Sequence, residues 1–189
     1  MIQLTTEQIE RAQRMLSHIP DASPKAIVRA VNRSAEAARA ELSRKLRETY
    51  YIKHADITNA TKIKPASVDQ KRFSGTVKVR GTRRELSQFR VSPKTPNPKN
   101  PPKRIRVAVK KSGLKPLPGA FVNRGMSSGL FHVMKRVGKA RYPVHIKYGP
   151  SIPEMAGNPE VTAAVEQRAQ EMLERRLDHE ITRILEANR

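Results

Sequence analysis

The residues able to do chemistry are few. The chain has five histidines (His18, His54, His132, His145 and His179) and no cysteine. Without Cys there is no thiolate nucleophile, zinc finger or iron–sulfur ligand set. The histidines are scattered, and none pairs at a metal-binding spacing such as H-E-x-x-H. His132 and His145 become neighbours if their strands pair. With so few acids nearby, a hydrogen-bonded sheet histidine is the expected role. Residues 66–148 contain just Asp69 and Glu85 as acids, whereas a nuclease gathers several carboxylates to hold Mg²⁺. No phosphate-binding loop or G-x-G-x-x-G occurs. The expectation is a protein that is not an enzyme and has no metal or cofactor.

What the chain has instead is positive charge. There are 38 Lys and Arg against 17 Asp and Glu, a net of +21. Residues 1–65 carry a net of +5, residues 66–148 a net of +19, and residues 149–189 a net of −3. Such segregation expects a polyanionic neighbour, either nucleic acid or the acidic face of another protein. The candidate partner- or DNA-facing residues are Lys78, Arg80, Arg83, Arg84, Lys94, Lys99, Lys103, Arg104, Arg106, Lys110 and Lys111. Aromatics are only 4% of the chain, too few for the stacking platforms that read single strands. Phe73, Phe89, Phe121 and Phe131 read as core residues at strand spacing. Any DNA contact is then electrostatic and blind to sequence.

A length of 189 residues suits one domain, and the same figure allows a substantial core. Hydrophobic residues are only 37% and Trp is absent, below the roughly 45–50% apolar content of ordinary domains. Part of the stability is therefore expected from association. No signal peptide or membrane span is legible, which suggests a soluble compartment.

The elements that would position these residues follow from periodicity. Thr5 and Gln8 fit a capping box, followed by Ile9, Ala12, Leu16 and Ile19 at helical spacing until Pro20. Ser23 as N-cap and Pro24 at the first helical position restart a helix. Ile27, Val31, Ala35, Ala38, Leu42 and Leu46 form its apolar stripe, and Arg29, Arg33, Glu36, Arg39 and Arg44 the opposite face. Its small residues Ala26, Ala30, Ala35, Ala37, Ala38 and Ala40 permit close packing. A short helix is expected at 54–60.

Strands are expected at 73–80, 85–91, 104–109, 119–122, 130–134 and 144–147, with a hairpin turn over 125–129. Residues 92–103 hold five of the 14 prolines and no large apolar residue. They read as an extended basic arm or a surface loop. Asn158-Pro159-Glu160 opens the last helix, with Val161, Val165, Ala169, Met172, Leu177, Ile181 and Ile184 on one face. The class is α+β in a single domain: a helical part at 1–65, a basic antiparallel β part at 66–148 with its arm, and a C-terminal helix within 149–189.

One stretch carries a resemblance. Gly119-Ala120-Phe121-Val122 is followed by Gly129-Leu130-Phe131-His132-Val133-Met134-Lys135-Arg136. Then come Arg141-Tyr142-Pro143-Val144 and Gly149-Pro150-Ser151-Ile152-Pro153-Glu154-Met155. Taken in order, these resemble the phage minor tail protein Z family, as does the Ala/Arg-rich helix around Ala30-Val31-Asn32-Arg33. The matching positions are Gly119, Phe121, Phe131, Val133, Arg136, Tyr142, Pro143, Gly149, Pro150 and Pro153. The resemblance implies a virion protein that completes the tail at its head-proximal end, with no catalytic residues. The partners it implies are the tail terminator and the neck or connector ring, together with self-association into a ring. From tail symmetry that ring is expected to be a hexamer. Nonspecific contact with DNA in the channel is a further expectation, with no membrane involved and assembly expected in the host cytoplasm. The alternative is a free-standing, sequence-nonspecific nucleic-acid-binding protein.

Overall fold

The computed structural model describes residues 6–19, 21–70, 72–96, 104–125 and 129–188. Its first elements are helices α1 (Thr6–Met15), α2 (Ala22–Thr49) and α3 (His54–Ala60). Strands β1 (Thr61–Lys64), β2 (Thr76–Val79) and β3 (Arg83–Glu85) follow, then a 3-10 turn at Leu86–Gln88 and β4 (Arg90–Ser92). Next come β5 (Ile105–Ala108), β6 (Lys115–Leu117), β7 (Ala120–Arg124), β8 (Phe131–Arg136), β9 (Val144–Ile146) and β10 (Tyr148–Ser151). Helices α4 (Ile152–Ala156) and α5 (Pro159–Ala187) close the chain. The α+β class is as expected, with the strands distributed over four small antiparallel sheets. The chain forms two compact units, one of Met1–Lys45, Thr58–Arg80 and Ala156–Arg189, the other of Leu46–Ile57 and Gly81–Met155.

The first, helical unit is built on α2. Ile27, Val31, Ala35, Ala38 and Leu42 are all buried, while Arg29, Arg33, Glu36, Arg39 and Arg44 stay exposed. Ala12 and Leu16 join Ala22, Ala26, Ile27, Ala30 and Val31 in one cluster with Leu173, Leu177 and Ile181. The alanines let neighbours approach closely. The Ser34 hydroxyl donates to the Ala169 carbonyl of α5, which requires the two backbones to be near each other. Asn32 ties down the chain after β1, because its amide donates to the Ala66 carbonyl at 3.1 Å and accepts from the Ala66 N–H at 2.7 Å. Before β2, Gly75 passes so close to α2 that a Cβ there would lie 3.0 Å from Val31 Cγ1.

Several local expectations are corrected. Helix α2 begins at Ala22, so Ser23 lies inside its first turn and is not the cap. On α5 the buried residue is Leu173, and Met172 is half-buried; spacing of four from Val161 through Ala169 to Leu177 and Ile181 selects it. Asn158 does cap α5, accepting from the Glu160 N–H, with Pro159 opening the helix. Strand β1 was not expected; it pairs with β2 from Thr61 opposite Val79 to Lys64 opposite Thr76. The expected caps and stops at Thr5 and Pro20 lie outside the described residues.

Because Leu177 is fully buried and Ser34 contributes one buried hydrogen bond, their truncations should differ in size. Leu177→Ala should destabilise by about 2–5 kcal/mol and Ser34→Ala by about 0.5–1.5 kcal/mol. Urea denaturation of both variants checks the order.

Candidate functional site

The second, sheet unit holds most of the charge. It carries 19 Lys and Arg against 4 Asp and Glu, a net of +15, and the helical unit carries +6. Its frame begins where α2 ends: the Lys111 N–H donates to the Thr49 carbonyl at 2.8 Å and the Tyr51 N–H to the Val109 carbonyl at 2.9 Å. Strand β5 lies between β4 and β6, with Val91 opposite Val107 and Ile105 opposite Leu117. Val91, Ile105 and Val107 are buried and Arg106 is exposed, as alternation requires. The expected strand at 85–91 is interrupted. Leu86–Gln88 winds into a 3-10 turn that buries Leu86, leaving β3 and β4 in different sheets.

Strands β7, β8 and β9 form a meander with Val122 opposite Val133 and Lys135 opposite His145. The expected hairpin between β7 and β8 is formed, although residues 126–128 of its turn lie outside the described residues. His132 and His145 are not cross-strand partners. His132 is buried instead, and its Nδ1 hydrogen-bonds the Glu85 carboxylate at 2.6 Å. The Ser87 hydroxyl donates to the same carboxylate oxygen at 3.2 Å. Nearby, Arg84 meets Asp56 at 2.7 Å. These two couples line a cavity of about 580 Å³, walled on its apolar side by Phe89, Val91, Val122 and Val133. Both carboxylates are committed to internal partners, and they join the expected candidate Arg84 and His132 to the frame.

The candidate cations are divided between the two units. Lys78 and Arg80 are exposed in the helical unit, while the other described candidates belong to the sheet unit. Arg83 is exposed, 3.8 Å from Glu154. Lys110 lies over the Tyr50 ring, 5.9 Å from its centroid. Lys94, Arg104, Arg106 and Lys111 are exposed. Lys99 and Lys103 lie outside the described residues, as does most of the expected arm, whose first residue, Ser92, is in β4 opposite Arg106. Two expected core aromatics are also corrected: Phe73 is 40% and Phe131 39% exposed. Phe131 opens β8 at the end of the sheet opposite Arg124, where little can cover it. Phe89 is buried, and Phe121 lies under the Arg136 guanidinium at 5.6 Å.

Several of the motif residues hold the local architecture. Gly119 turns the chain into β7 at a φ of 70°, a conformation open to glycine without strain. Val133 is 1% exposed. Gly149 passes Phe89 so closely that a Cβ would meet its ring at 2.9 Å. Ser151 and Glu154 form a capping box on α4. The Ser151 N–H donates to Glu154 Oε2 at 2.7 Å, and the Glu154 N–H donates to Ser151 Oγ at 3.3 Å. Pro153 sits between them in the first turn, where no N–H is needed. The Ser151 N–H chiefly, then its hydroxyl, holds the Glu154 carboxyl below its ordinary value of 4.5, with a smaller push from Arg83.

A family model for prophage minor tail protein Z matches residues 7–188. The chain belongs to that family. It is thereby a structural protein of a phage tail. No curated protein and no solved structure matches the chain. Family membership agrees with the geometry: the positions that carry the resemblance, from Gly119 to Pro153, are mainly turns, caps and close contacts. Among the described residues no group of three or more His, Asp or Glu is placed to hold a metal ion, and no helix is long and apolar enough to cross a membrane.

What sequence reading missed is a second basic group. Lys135, Lys139, Arg141 and Tyr142 are exposed together on β8 and the turn that follows it. The available signal was the complete absence of Asp and Glu from 86 to 153.

Gly149→Ala should destabilise the sheet unit by about 1–3 kcal/mol, since the added methyl must displace a buried ring. Thermal melting checks this. The depressed Glu154 carboxyl contributes stability that is fully present above 4.5 and lost as pH falls through its lower folded-state value. Glu154→Gln should therefore show a shallower loss of melting temperature on acidification than the native chain.

Proposed function

We propose that the chain completes the phage tail at its head-proximal end and helps join tail to head. It does so as part of a neck ring, sixfold like the tail, through which DNA passes. The observation that carries the reading is family membership combined with one compact unit of net +15. A closed ring needs two different faces of each subunit to meet. The sheet unit offers a cationic face. Helix α5 carries exposed Glu160, Glu166, Glu174 and Glu186, charges of the opposite sign. Opposed charges of this kind steer assembly and fix register. The neighbours at the ring are the tail terminator below and the neck or connector proteins above. A free-standing nucleic-acid-binding protein is favoured by the same charge and differs in not being found in particles.

A phage carrying a stop codon in this gene tests the reading. Full-length tails and filled heads should accumulate unjoined, and plasmid-borne protein should restore infectious particles. Normal joined particles without the protein contradict it.

Removal of residues 97–103 gives a separate outcome. The flanking strands β4 and β5 keep their pairing at Ser92 and Arg106, so melting should shift by no more than about 2 °C, because no core residue is lost. Infectious yield should fall at least about tenfold if these residues dock on a ring neighbour. A collapse in melting, or an unchanged yield, defeats the docking role.

A further inference from the structure

We infer that the hairpin of β8 and β9 is a binding site for duplex DNA, contacting it without regard to sequence. This rests on, and deepens, the reading of a subunit placed along the DNA path. Strand β7 flanks β8 only as far as Ala120 opposite Lys135, and beyond that rung the hairpin runs on as two strands. Met134 faces Ile146, Lys135 faces His145 and Arg136 faces Val144 across it. The Val137 N–H closes its turn by donating to the Pro143 carbonyl at 3.2 Å. Beyond that closure residues 138–142 form the tip, with Lys139 and Arg141 both exposed.

Three observations point to a polyanion with a flat, groove-bearing surface. First, the hairpin has no carboxylate to neutralise it. No Asp or Glu occurs from 86 to 153, and the bounding Glu85 and Glu154 are engaged by His132 and Ser151. Second, the tip keeps large side chains in solvent beside its cations: Tyr142 is 64% and Val137 61% exposed. The Arg141 guanidinium lies over the Tyr142 ring, 5.7 Å from the centroid, giving a planar cationic platform that can lie against the sugar–phosphate backbone. Third, the shape fits. Two strands about 4.8 Å apart, with their side chains, suit the roughly 12 Å major groove, which admits a β-ribbon. Lys and Arg at the rim then reach phosphates, and such contacts position a protein without specifying sequence.

The probe is a fluorescent 30-base-pair duplex titrated with the purified full-length chain at several salt concentrations. Replacing Lys135, Lys139 and Arg141 by Ala should weaken binding at least about 30-fold near physiological salt. It should also reduce the slope of log affinity against log salt by about 2–3, because each lost phosphate contact removes about 0.9. Tyr142→Ala should weaken binding about fivefold or more while leaving the slope unchanged. The matched control replaces Arg104, Arg106 and Lys111 on and beside β5, removing the same charge; its loss should be much smaller. Circular dichroism melts establish that each variant is folded. The proposal is overturned if the native chain fails to bind the duplex, or if both triple variants lose affinity equally. It is also overturned if polyglutamate of matching charge binds as tightly, which would make an acidic protein surface the partner. A wrong tail position would show in the particle experiment and leave this titration unaffected.

Discussion

Mutual repulsion is the constraint under which the sheet unit folds. Nineteen cations share it with four carboxylates, and like charges at that density oppose compaction. The arrangement of the acids is the response. Asp56 takes Arg84, Glu85 takes His132, and Glu154 takes the Ser151 N–H with Arg83 beside it. Each holds two segments together or caps a helix, so the acids are spent where they secure the frame. Most of the other described cations are exposed, on β4 to β8 and the turns between them. Salt screens the repulsion on such a surface, and a polyanion beside it relieves it further. Folding and partner choice are thus two consequences of one charge distribution.

The helical unit meets a different constraint, a shortage of large apolar side chains. Its answer is proximity. Ala22, Ala26 and Ala30 are fully or almost fully buried, and the Ser34 hydroxyl reaches a carbonyl of the neighbouring helix. Small residues give up hydrophobic area but allow backbones to approach, so dispersion contacts accumulate over a short distance. Ion pairs along the same helices add modestly, as exposed pairs do. Arg11 meets Asp178 at 3.1 Å, and Arg29 and Arg183 both meet Glu180. They also occupy part of the acidity of α5, so only part of that face remains for a neighbour.

The long helices were legible in the sequence because their stripes repeat over many turns and their punctuation is strong. Asn158-Pro159-Glu160 works as the cap it spells. The short strands were harder. Thr61-Lys62-Ile63-Lys64 follows α3 without a turn residue between them, and Lys115-Pro116-Leu117 contains a proline that argues against a strand. Tyr148-Gly149-Pro150-Ser151 pairs with β3 through an irregular register, which no alternation pattern announces. Periodicity also could not show that the segment at 85–91 would bend through a 3-10 turn to bury Leu86. For the candidate site, the sign and rough location of the charge were legible. Which unit each cation joins depended on long-range pairing, and so Lys78 and Arg80 fell in the helical unit while Lys135, Lys139 and Arg141 came forward in the sheet unit. Phe131 was misread for the same reason, since a strand end looks like a strand middle in one dimension.

If this charge distribution faces DNA where tail meets head, a cryo-EM map of the neck in an intact particle will show it. The expected density is a ring of copies at the head-proximal end of the tail, with the β8–β9 hairpin of each directed at density on the axis. Copies at the opposite end of the tail, or hairpins turned away from the axis, would overturn that placement.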